Sequence, residues 1–221
     1  MKKYTLSIST PEERIQSAIT EAYNIYINRL ITGYYEIGLE ATFQLYFASI
    51  LEKVLETKVL FITEHFSVIL EKNFPINGIK DYVDIAVQYE SSSNEKEVYL
   101  IELKFKKRTD SAPNLGNISS YIDIYTLSQL KKQQVCNGAF YIFLTDYETY
   151  TRASQKGLRL ELPMHDGAHI QNNITYSVSG NAAKKACKKY VNGFLFENSY
   201  DIEYTKFDIK GKPYWYYILK I

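Results

Sequence analysis

The feature of this sequence that most restricts its fold is an unbroken run of six apolar residues, AFYIFL, from Ala139 to Leu144. A strand that faces water on one side alternates apolar and polar residues, whereas a continuous apolar strand must be covered on both faces. Such a strand, in a chain whose predicted order is helix, helix, three strands, helix, strand, is typical of the layered arrangement of α/β proteins. The run therefore predicts an α/β core with a buried strand at its centre.

Three segments of the chain have apolar residues at helical spacing. Thr10 to Glu13 contains an N-cap, a proline and a capping-box glutamate, and apolar residues then recur at helical spacing to about Leu30. Further apolar stripes predict a second helix from about Tyr35 to Leu55 and a third from about Ile118 to Gln134.

Three strands are predicted between the second and third helices. Alternation from Phe66 to Leu70 is typical of a half-buried strand, and the turn residues Pro75, Asn77 and Gly78 predict a turn within 73–78. Segments 82–87 and 98–105 are rich in β-forming residues and flank a short polar loop, so they predict a hairpin.

The last third of the chain has a weaker pattern. Residues 158–162 alternate as a strand does, 182–190 have the pattern of a short helix, and 200–221 predict a terminal hairpin that turns at 210–213. We therefore expect one α/β domain over residues 1–221, with a mixed central sheet. Its α-β-β-β-α-β core covers about 35–145, and a C-terminal α+β extension covers about 150–221.

Composition excludes several classes of protein. With 46% apolar and 23% charged residues, the chain is neither disordered nor fibrous. Two cysteines, Cys136 and Cys187, provide no disulfide framework. The absence of a signal peptide or an apolar span predicts a cytoplasmic protein without membrane contact. A formal net charge of +1 neither requires nor excludes a nucleic-acid partner, because a polyanion responds to local patches.

The hairpin carries the candidate chemistry. An antiparallel pair centred on Ser93 places Asp84 directly opposite Glu102, and Lys104 shares their face because strand side chains repeat every second residue. Leu103 and Phe105 then point into the core. The register is decisive, since a slip of one residue would move Asp84 to the other face.

Two opposed carboxylates repel each other, and a divalent cation would remove that repulsion. A lysine beside such a cation can orient or deprotonate a water molecule. The simpler alternative is a solvated pair, Asp84 and Glu102, with Lys104 as its counter-charge.

Asp84, followed by Glu102-Leu103-Lys104 at the end of the second hairpin strand, resembles the signature of the PD-(D/E)XK nuclease superfamily. The order of flanking elements is similar to the restriction-endonuclease-like core over roughly Tyr35 to Thr145, about half of the chain. One departure is Val83, which stands where the proline of the signature would be.

The resemblance implies a metal site and a reaction. Asp84, Glu102 and the backbone carbonyl of Leu103 would bind Mg²⁺, with Mn²⁺ as a substitute. Glu40 would be an accessory ligand or a water-mediated one, and an exposed helix charge is the alternative for it. Lys104 would position the attacking water and stabilise charge on the phosphorus. The expected reaction is hydrolysis of a DNA phosphodiester bond, leaving a 5′ phosphate.

The residues and the resemblance are compatible with several functions. The chain is expected to be a restriction or defence endonuclease similar to the type II restriction endonucleases, acting as a homodimer with one site per strand. The alternatives are a structure-specific or repair nuclease with the same site, and a catalytically silent module that binds nucleic acid or another partner.

Basic side chains after the hairpin and in the C-terminal third are candidates for DNA contact, since each neutralised phosphate adds affinity. A charged strand end or a hydrated helix face is the alternative for each group. The candidates are Lys106, Lys107 and Arg108 after the hairpin, Gln129, Lys131 and Lys132 on the third helix, and Lys184, Lys185, Lys188 and Lys189 further on.

Overall fold

The structure is a computed structural model that describes residues 9–76, 79–91, 93, 95–110, 113–178 and 192–221. In chain order, its elements are α1 (Pro11–Ile31), α2 (Glu40–Glu56), β1 (His65–Ile76), β2 (Ile79–Glu90), β3 (Lys96–Lys106), α3 (Pro113–Lys132), β4 (Gly138–Thr145), α4 (Leu158–Glu161), β5 (Ala168–Ile170), β6 (Thr175–Tyr176), β7 (Phe194–Leu195), β8 (Tyr200–Ile202), β9 (Thr205–Ile209) and β10 (Lys212–Lys220).

The centre of the molecule is a six-stranded mixed sheet with the strand order β1-β2-β3-β4-β10-β9. Strands β3 and β4 are parallel and are joined through α3, whereas the other neighbouring strands are antiparallel. Two short two-stranded sheets, β5-β8 and β6-β7, lie outside it. The α/β class and the mixed sheet predicted from the sequence are confirmed.

Strand β4 is buried along its whole length, as its apolar run predicts. Phe140, Ile142 and Leu144 face a core that contains α1 and α2. Tyr141 and Phe143 face a second core that contains α3 and the C-terminal strands. Two cores separated by one sheet explain why this strand has an apolar residue at every position of the run.

The first helix has the predicted start. The Thr10 hydroxyl accepts a hydrogen bond from the Glu13 backbone, and the Glu13 carboxylate accepts one from the Thr10 backbone. The second helix begins at Glu40 and not at Tyr35. Tyr35 is held outside the helix because its ring stacks on Tyr46, with centroids 4.0 Å apart, and its hydroxyl accepts from Arg29.

Two further boundaries differ from the prediction. Strand β1 continues to Ile76, so the turn predicted within 73–78 begins later, and Phe74 is buried in the core below α3. Residues 158–161 form the short helix α4 and not a strand, because the Gly157 carbonyl accepts hydrogen bonds from the backbone of Leu160 and Glu161.

The C-terminal hairpin is β9-β10, and it turns at Lys210 and Gly211, within the predicted 210–213. It begins at Thr205 and not at Tyr200, because Tyr200–Ile202 pairs with β5 instead. Strand β10 pairs with β4 from Trp215 to Lys220, so the predicted extension contributes two strands to the central sheet. The helix predicted at 182–190 lies outside the described residues. Among the helices that are described, none is long and apolar enough to span a membrane.

Candidate active site

The candidate site lies where β2 and β3 separate. The two strands pair in the predicted register from Glu90–Lys96 to Ile85–Ile101. Before Ile85, β2 continues its pairing with β1, and after Ile101, β3 continues its pairing with β4. Asp84 and Glu102 are the first residues beyond the last pair, so both acids lie at a fork between two strands.

At this fork, hydrogen bonds to side chains take the place of the backbone pairing between β2 and β3. The Leu103 backbone N–H donates to Asp84 Oδ2 at 2.8 Å, and the Asp84 N–H donates to Glu102 Oε2 at 3.4 Å. The Asp84 carbonyl accepts from Gln44 Nε2 at 2.7 Å. The two acids are therefore held against each other's strand by hydrogen bonds, and the register predicted for the hairpin is confirmed.

Strand β1 is irregular opposite the same position. Its ladder with β2 omits the Glu71–Asp84 pair, and Glu71 has a φ of 48°. This left-handed conformation is costly for a residue with a side chain and is found disproportionately at functional sites. The interruption leaves the backbone of Asp84 free for the bonds to Glu102 and Gln44.

Lys104 lies between two further acids. Its ammonium is 3.4 Å from Glu40 Oε1 at the start of α2 and 3.3 Å from Asp123 Oδ2 on α3. The other oxygen of Glu40 accepts from the Phe105 backbone at 2.9 Å. Leu103 and Phe105 point into the core with α1 and α2, as predicted. The site thus contains four carboxyl groups and one lysine, held by two helices and two strands.

Burial controls the protonation of this cluster. It raises the pKa of Asp84 to about 6, against the hydrogen bond from Leu103 and the charge of Lys104. It also raises the pKa of Glu102 and of Asp123. Burial alone would lower the pKa of Lys104, but the charges of Asp123, Glu40 and Glu102 outweigh it and raise that pKa. Lys104 is therefore a cation, and its single positive charge is shared among the four carboxyl groups of the site.

The donor chemistry of the fork fits a small hard cation. Mg²⁺ is commonly bound through one or two carboxylates, with waters and substrate phosphate completing its coordination. Asp84 and Glu102 supply two such groups, and a cation bound to them would offset the cost of ionising two buried carboxyl groups. Among the described residues, no set of three or more His, Cys, Asp or Glu side chains is arranged to hold an ion. Glu40 pairs with Lys104 and accepts a hydrogen bond from the Phe105 backbone. It does not form a three-carboxylate ligand set with Asp84 and Glu102.

The structure separates the basic candidates into three groups. Lys106, Lys107 and Arg108 follow the site at the end of β3, where Lys107 Nζ lies over the Phe105 ring at 5.5 Å. Gln129, Lys131 and Lys132 lie at the end of α3 distant from the site; Lys131 donates to the Ile221 backbone and Lys132 pairs with Glu197. Lys184, Lys185, Lys188 and Lys189 lie outside the described residues. Of the two groups that are described, the first alone adjoins the site along the chain, and within it Lys106 shares the face of Lys104.

Asp123 and Gln44 are site residues that the sequence interpretation missed. Asn117, Ser120 and Asp123 recur every third residue along α3, and the first two are buried polar residues. A polar row of this kind beside an apolar stripe is a detectable signal, because buried polar groups need partners. Gln44 lies one turn after Glu40, so the same face of α2 supplies both residues.

Comparison of the chain with protein-family models, with curated proteins and with solved structures finds no match. The function proposed for the site therefore depends on the residues and geometry of this chain.

Proposed function

We propose that the protein is a Mg²⁺-dependent endonuclease that hydrolyses DNA phosphodiester bonds, with a restriction-endonuclease-like fold. The observation that carries this proposal is the fork, where Asp84 and Glu102 from neighbouring strands lie together beside the buried cation Lys104. The order α2-β1-β2-β3-α3-β4 around the fork is that of the PD-(D/E)XK core, which supports the same conclusion. A homodimer, with one site for each DNA strand, is part of the proposal.

Each residue of the fork has a role in this reaction. Asp84 and Glu102, with the Leu103 carbonyl, would hold Mg²⁺, which stabilises the developing charge and lowers the pKa of a bound water. Lys104 would orient the attacking water and place positive charge beside the scissile phosphate. Gln44 fixes the backbone of Asp84 by donating a hydrogen bond to the Asp84 carbonyl. Glu40 and Asp123 hold Lys104 from two sides.

The proposal is tested by cleavage of a supercoiled plasmid. We expect the parent to cut the plasmid with Mg²⁺ and not with a chelator. Asp84→Asn and Lys104→Met should each reduce the rate by about 10³-fold, because each removes charge that acts on the transition state. Glu56→Gln, on the exposed surface of α2, is the matched control and should cut as the parent does. Equal cutting by all four proteins would contradict the site, and DNA binding without any cutting would favour the binding module.

Asp123→Asn should reduce the cleavage rate by about 10–100-fold, the usual effect of a residue that orients a reacting group. The amide keeps the shape of the side chain and removes the charge that holds Lys104 at 3.3 Å. We expect kcat to fall while KM for DNA stays near that of the parent. Asp123→Glu should recover part of the activity, since it restores the charge. A variant with unchanged kcat would show that Asp123 does not act through Lys104.

A further inference from the structure

A groove of about 700 Å³ lies at the carboxyl ends of β3 and β4. On one side it is lined by Arg108, Tyr147 and Arg152, which follow those strands. On the other side it is lined by Lys212 and Trp215 at the start of β10. We call this feature the carboxyl-edge groove.

A row of side chains connects this groove with the face of the sheet that carries the site. Lys106, Thr145, Trp215 and Lys206 are successive partners across β3, β4, β10 and β9. Directly paired residues share a face, and Lys106 lies two residues after Lys104, so the row continues the face of the lysine. Lys206 Nζ lies 6.0 Å from the centre of the Trp215 ring. A lysine therefore lies at each end of the row.

The acids of the groove already have partners. Glu148 pairs with Arg152 at 2.6 Å, and Asp146 accepts from the Arg108 backbone at 2.6 Å. Arg108 and Lys212 are exposed residues, and no carboxylate within the described part of the chain forms an ion pair with either. Two cations of the groove are thus available to an anionic ligand.

The position of the groove suits a polyanion that also reaches the fork. Trp215 lies two strands across from Lys106, about 10 Å away, and Lys106 lies four residues along β3 from Glu102, about 13 Å, so roughly 16 Å separates the carboxylates from the groove. Along one strand of a DNA duplex the axial rise is about 3.4 Å per nucleotide. This separation therefore corresponds to about five nucleotides.

We propose that the carboxyl-edge groove binds the sugar–phosphate backbone of DNA, about five nucleotides from the phosphate at the fork. Arg108 and Lys212 each neutralise a phosphate there, and the lysines of the row add to the local positive charge. The inference rests on the proposed function for the choice of DNA as the ligand. Phosphate contacts of this kind hold the DNA in register without reading its sequence.

Trp215 is the single tryptophan of the chain, so its fluorescence reports on this groove alone. The experiment titrates the full chain with a fluorescently labelled DNA duplex in chelator, which prevents Mg²⁺-dependent cleavage, and follows both Trp215 emission and the anisotropy of the DNA. The groove variant is Arg108→Ala with Lys212→Ala. The matched control is Lys53→Ala with Lys96→Ala, which removes the same charge from exposed lysines distant from the groove.

We expect DNA to change Trp215 emission in the parent. The slope of log K against log salt should fall in magnitude by about 2 in the groove variant and stay unchanged in the control. An unchanged slope in the groove variant, or DNA binding that leaves Trp215 emission unaltered, would overturn the inference. Plasmid cleavage by the parent is measured separately. If the parent cleaves the plasmid but the salt slope of the groove variant is unchanged, the groove inference fails and the proposed nuclease function is unaffected. If DNA binds in the groove but the parent does not cleave the plasmid, the nuclease function fails and the groove inference is retained.

Discussion

Glu102→Gln is expected to abolish DNA cleavage and to leave a protein at least as stable as the parent. The change removes one of the two carboxylates that would hold Mg²⁺, so the cleavage rate should fall by about 10³-fold or more. It also removes a buried acid from a cluster that contains Asp84 and Asp123, whose charges oppose its ionisation. Without metal, the free energy of unfolding should stay the same or rise by about 1 kcal/mol.

Opposite changes in activity and stability distinguish a functional acid from a structural one. Urea unfolding in chelator gives the stability, and plasmid cleavage with Mg²⁺ gives the activity. A variant that loses both would show that Glu102 serves the fold, and its loss of activity would then say nothing about metal binding. A stable variant that cuts at the parent rate would remove Glu102 from the site.

Glu64→Gln is expected to lower the free energy of unfolding by about 3–5 kcal/mol, because it leaves the buried charge of Arg14 without its partner. Arg14 Nη1 and Nη2 donate to the two oxygens of Glu64 at 2.7 and 2.9 Å. Tyr89 and the Leu60 backbone also donate to this carboxylate. Only 5% of the Arg14 side chain and 6% of the Glu64 side chain are exposed.

The same pair makes stability depend on pH. The hydrogen bond from Arg14 is the main cause that lowers the pKa of Glu64 from 4.5 to about 2. A lowered pKa in the folded state stabilises the protein above the pKa of the unfolded state. The contribution is therefore complete above pH 4.5 and is lost as the pH falls toward 2.

Urea unfolding of the parent and of Glu64→Gln at several pH values measures this contribution. The difference between the two proteins should be largest near neutral pH and narrow as the pH falls below 4.5. Glu56→Gln serves again as the control, because its pair with Lys53 is exposed to solvent, where such pairs contribute little to stability. A difference between parent and Glu64→Gln that is constant with pH would contradict the role of the ion pair.

Local patterns predicted the main elements and the register of the hairpin. The capping box of α1, the apolar run of β4 and the paired segments of β2 and β3 are all found where the residues indicate. The failures occur where tertiary contacts decide the backbone. Tyr35 packs on Tyr46 from a loop although its spacing fits a helix, and Gly157 starts a helix in a segment that alternates as a strand.

The meeting of Asp84 and Glu102 follows from local sequence, because a short hairpin allows one register that keeps Ile85 and Ile101 in the core. The surroundings of the two acids depend on packing between distant elements. Asp123 reaches Lys104 because α3 crosses the sheet at that point, and β10 adds Trp215 to the same face because it pairs with β4. Contacts between residues far apart in the chain depend on how whole elements pack, and local periodicity does not encode that packing.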